Sequence, residues 1–91
     1  MERKEIEVFS EASNFAVVRM PGRSFPGCAI QGDSLSILHS LARSIHGRVA
    51  ACGDEELSGD AAELVELLDS RLRHYEEVLT ANGIRLPYTK R

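Results

Sequence analysis

At Gly32 the spacing of apolar residues switches from alternation to helical recurrence, which divides the chain into a strand-forming third and a helix-forming remainder. Before the switch, Ile6 and Val8 alternate with Glu5 and Glu7, and Phe15-Ala16-Val17-Val18-Arg19-Met20 is a β-branched and aromatic run. Strands are expected over about residues 5–9 and 15–20, with Ser13-Asn14 turning between them. Pro21, Gly22, Pro26 and Gly27 mark a loop into a third strand over about residues 28–31. A parallel pair needs a crossover of a dozen or more residues, and none of these connections is long enough. The sheet is therefore expected to be antiparallel.

After the switch, Leu35, Leu38, Leu41, Ala42, Ile45 and Val49 recur at three and four residues, which predicts a helix over about residues 34–47 with one apolar stripe. Asp33 or Ser34 is expected to cap its amides and Gly47 to end it; Val49 to Cys52 is open between helix and strand. A second helix is expected over about residues 60–82, with Leu57, Ala61, Leu64, Leu68, Leu72, Tyr75 and Leu79 on one face. Asp60 and Glu63 have capping-box spacing, Asn82-Gly83-Ile84 is a terminator, and Ile84 to Tyr88 could add an edge strand. The fold class is α+β, in the order β-β-β-α-α, as one domain over residues 1–91. Val65, Leu67 and Val78 add apolar surface that three strands do not easily cover, so a homodimer is expected.

A chain of 91 residues with 43% hydrophobic content builds one core. Its apolar runs fall short of the ~20 residues of a membrane span and the ~7–15 of a secretory leader, which points to the cytoplasm. Cys28 and Cys52 cannot supply a four-ligand zinc site, so no metal and no cofactor are expected. Cys28 reads as a small buried side chain. The net charge of −3 conceals segregation, because residues 54–79 hold nine acids against Arg71 and Arg73. That balance argues against nucleic acid as a partner; a contact of that kind would have to use Arg43, Arg48, Arg85, Lys90 and Arg91.

Three groups of residues carry candidate chemistry. Gly32-Asp33-Ser34-Leu35 resembles the motif of the GDSL esterases and lipases, so a small serine hydrolase using Ser34 is an alternative reading. The chain lacks the Asp-x-x-His element that would supply the base, and the Ser34 hydroxyl is expected instead to hold helix amides. His39, Arg43 and His46 are expected to share the outward face of the first helix as a partner contact. Glu63, Glu66, Asp69, Glu76 and Glu77 exceed what pairs such as Asp69–Arg73 neutralise. Such pairs add only ~0.2–0.5 kcal/mol each, and the surplus is a candidate docking surface for a basic protein.

Phe25-Pro26-Gly27-Cys28-Ala29-Ile30-Gln31-Gly32-Asp33-Ser34-Leu35, followed by Ala42-Arg43-Ser44-Ile45, is similar to the core signature of HicB-type antitoxins. Counting the preceding Val17-Val18 strand, the resemblance covers about residues 15–46, a third of the chain. It implies a small antiparallel sheet with one helix packed on it, and neutralisation of a toxin ribonuclease by direct contact. A long acidic helix stands where that family carries a fourth strand and often a DNA-binding tail.

Overall fold

In the computed structural model, which describes residues 1–90, three strands precede two helices: β1 (Glu7–Ser10), β2 (Phe15–Arg19), β3 (Gly27–Ile30), α1 (Gly32–Val49) and α2 (Glu55–Ala81). Arg91, among the bases named above, lies outside the described residues. The sheet has the order β1-β2-β3 and both pairings are antiparallel, as the short connections require. Ser13 and Asn14 do turn between β1 and β2, with Phe15 N donating to Ala12 O at 3.3 Å. Glu7 faces Arg19, Val17 faces Cys28 and Phe15 faces Ile30, and the β1 register shifts between Val8 and Ser10. At that edge Arg19 Nη2 meets Glu7 Oε2 at 2.5 Å, and its guanidinium lies 5.5 Å over the Phe9 ring.

Neither face of the sheet is covered: Val8 is 50% exposed on one side and Phe15 is 63% exposed on the other. The helix on the sheet that the antitoxin resemblance implies is thus not formed, because α1 packs along α2 instead. Cys28, expected in the interior, is an exposed free thiol for the same reason, and Cys52 is another.

Both helices begin earlier than their spacing suggests. α1 starts at Gly32, its N-cap Gln31 makes no side-chain bond, and the Asp33 carboxylate accepts from Ser34 N at 2.8 Å. Ser34 is therefore inside the first turn, and its hydroxyl holds no amide among the described residues. Gly47 does not take a left-handed φ, so α1 runs through it, and the chain turns only at Gly53 (φ 71) after a 3-10 turn over Ala50–Cys52. The cap of α2 is Asp54, whose Oδ1 accepts from Leu57 N at 3.0 Å with Glu55 and Glu56 in the first turn; Asp60 and Glu63 are mid-helix. Asp54→Ala is expected to cost about 1 kcal/mol, which thermal unfolding reads as a fall of roughly 4–8 °C. The predicted terminator is present: Gly83 (φ 66) donates to Thr80 O at 3.1 Å and Ile84 N to Leu79 O at 2.9 Å.

The core is the seam between the helices. Leu35 and Ala42 from α1 and Ala61 and Leu72 from α2 are its buried apolar side chains, with Val65, Leu68, Tyr75 and Leu79 half-buried beside them. The expected single stripe of α1 splits, because the seam takes Leu35, Ala42 and Val49 and leaves Leu38, Leu41 and Ile45 exposed. Gly32 is buried where the sheet joins the helices, and a Cβ built there would lie 2.1 Å from the Tyr75 ring. Residues 84–90 form no strand. The turn at Gly83 sends them back along α2, and Pro87 lacks the N–H that pairing would use.

Candidate functional site

The seam leaves one flank of the hairpin polar and concave. On α1, residues 39 and 46 fall four places after the buried Leu35 and Ala42, so their side chains turn toward α2 rather than outward. The His39 side chain is only 13% exposed, with Nε2 3.2 Å from Asp69 Oδ1. The atoms are out of line for a hydrogen bond, so the contact is an electrostatic approach rather than an aligned bond. The expected outward face of His39, Arg43 and His46 is corrected accordingly: His39 is in the wall, His46 is half-buried, and Arg43 alone is exposed, at the cleft.

From α2, Asp69 also pairs with Arg73 one turn on, as its spacing predicts. Glu76 lies one further turn along, with its side chain 16% exposed. Its Oε2 accepts from Tyr88 Oη at 2.9 Å, and its Oε1 is 3.8 Å from Lys90 Nζ. Burial first, then the bond to Glu76 and its negative charge, push the Tyr88 phenol well above its ordinary range. The returning C-terminal segment thus closes one wall of a cleft of about 290 Å³ that also includes Ser36, Ser40 and Arg43.

This cleft is neutralised from within. Asp69 has Arg73 and His39, and Glu76 has Tyr88 and Lys90, so two of the five acids expected to face a partner are occupied. Glu63, Glu66 and Glu77 are exposed and have no ion pair among the described residues. Of the five predicted acids, the structure therefore separates a paired set in the cleft from an open set on the ridge beside it. Among the described residues, no three His, Cys, Asp or Glu are gathered as metal ligands. No helix is long and apolar enough to cross a membrane. Ser34 is half-buried in α1, and no side chain is hydrogen-bonded to its hydroxyl among the described residues.

Sequence reasoning missed Tyr88 and Lys90 as cleft residues. The signal was the Asn82-Gly83-Ile84 terminator, which reverses the chain and returns residues 84–90 toward the helix they have just left. The pairing of His39 with Asp69 had no comparable signal, since it depends on the register between two helices. No curated protein and no solved structure matches the chain. Residues 1–88 match the Family of unknown function (DUF6959), and the chain belongs to that family.

Proposed function

We propose that the chain is a non-enzymatic protein-binding module whose partner is basic, acting as an antitoxin-like neutraliser in the cytoplasm. The supporting observation is the ridge of Glu63, Glu66 and Glu77, exposed and unpaired among the described residues while neighbouring acids are neutralised. At about 100° per residue these three lie within about 60° of one another around α2. A coherent acidic strip of this kind speeds encounter with a basic surface and fixes its orientation. The resemblance of residues 15–46 to HicB-type antitoxins supplies the form of the activity, occupation of a small toxin by contact.

Reversing Glu63, Glu66 and Glu77 to lysine is expected to weaken a basic partner, once co-purified and identified, by at least about tenfold at low salt. The wild-type affinity is expected to fall steeply between low and high salt, and the variant's much less. Titration calorimetry giving the same affinity for both proteins at both salt concentrations would remove the reading.

A further inference from the structure

The flank opposite the cleft has the reverse character. Taking the buried Ala42 and Leu72 as facing the other helix, steps of about 100° per residue put His39, Arg43, Asp69 and Glu76 on one side. The same steps put Leu38, Leu41, Ile45 and Leu64 on the other, with Leu67 further round. Leu38, Leu41 and Ile45 are 43%, 55% and 52% exposed, and Leu64 and Leu67 are 47% and 46% exposed. Gly32 lies against Tyr75 and His39 against Asp69, so these apolar residues stand at the same level along the hairpin. No charge interrupts them, and Asp60 and Arg71 bound the patch at its ends.

The size of the uncovered surface indicates what covers it. The chain exposes 7409 Å², whereas a folded monomer of 10.0 kDa exposes about 5,200 Å². Its Cα radius of gyration is 16.0 Å, against about 12 Å for a compact chain of this length. The surplus, about 2,200 Å² per chain or about 4,400 Å² for a pair, falls in the range of obligate homodimers, about 2,000–5,000 Å². The bare sheet supplies part of it and the hairpin flank supplies an uncharged apolar patch. A basic partner would find no carboxylate in the middle of that patch, whereas a two-fold axis would set it against itself and keep the acidic ridges apart.

We propose that a second copy of the chain docks on the Leu38, Leu41, Ile45, Leu64 and Leu67 flank, so that two hairpins form a four-helix bundle. The three-and-four spacing of Leu38, Leu41 and Ile45, and of Leu64 and Leu67, is the spacing that such bundles interdigitate. Leu67 adjoins Glu63 one turn away, but Leu38, Leu41, Ile45 and Leu64 lie clear of the acidic ridge, so the bundle stands whether or not the basic partner does.

Sedimentation equilibrium of the full chain is expected to give a particle of twice 10.0 kDa, with a melting temperature that rises with concentration. Leu41→Glu with Ile45→Glu is expected to weaken the dimer at least about 100-fold, and reversal of Glu63, Glu66 and Glu77 to leave it intact. Because a chain that folds only as a dimer would also lose its fold with these glutamates, a second experiment keeps the native flank. With Cys28 and Cys52 replaced by serine, Ile45→Cys is expected to be cross-linked between copies by a bis-maleimide of about 10 Å, the spacing of packed helices. Glu66→Cys is expected not to be. A folded 10.0 kDa particle at every concentration overturns the proposal, as does a dimer that keeps its affinity with both glutamates or cross-links only through position 66.

Discussion

Leu72→Ala is expected to remove the cooperative thermal transition at room temperature or bring it close to there. Leu72 and Leu35 are the only large side chains among the buried apolar residues of the seam, and no side chain anywhere in the described chain is completely buried. Truncating a buried leucine costs about 2–5 kcal/mol, and a core this small supplies only about 3–5 kcal/mol in all. The loss therefore equals most of what holds α1 to α2. Thr80→Ala, exposed on the same helix, serves as the control and is expected to stay within about 0.5 kcal/mol of wild type. Circular dichroism melts in which Leu72→Ala unfolds within about 4 °C of that control, the shift of a single kcal/mol, would place the core elsewhere.

The second large effect is at Gly32. An alanine there gains helix propensity of up to about 1 kcal/mol, so on backbone grounds alone it would stabilise α1. Its Cβ would meet the Tyr75 ring at 2.1 Å, a contact that forces the ring out of the junction between sheet and hairpin. Overpacking of this kind costs about 1–3 kcal/mol, and the packing term is expected to win. Gly32→Ala should accordingly lower the melting temperature in the wild-type background and raise it, or leave it unchanged, in Tyr75→Ala. A substitution that stabilises both backgrounds equally would show that the ring does not hold the junction.

The order of elements and the antiparallel pairing were legible because they rest on local signals: alternation in Val17-Val18, helical recurrence after Gly32, and connections too short for a crossover. The boundaries were less so. Asp54 and Asp60 are equally plausible caps by residue type, and the choice between them falls to Leu57, whose amide Asp54 reaches. Gly47 and Gly53 are likewise indistinguishable in sequence until one adopts a left-handed conformation. The cleft was half legible. Of the five acids that the sequence singles out on α2, Asp69 and Glu76 line the cleft, and period alone does not say which acids face another helix. Asp69 and Glu76 sit beside the Leu72 ridge and are drawn in, whereas Glu63, Glu66 and Glu77 lie further round. The histidines of α1 were misplaced because Leu38, Leu41 and Ile45 pull the apparent apolar face away from the seam that Leu35 and Ala42 form.

Each main interface joins elements that are consecutive along the chain: β1 with β2, β2 with β3, α1 with α2. Ring closures are accordingly short, and a topology of such local pairings reaches its native arrangement in microseconds to milliseconds. In the proposed dimer, the meeting of two chains would then be the slowest event in renaturation, and dilution would lengthen it.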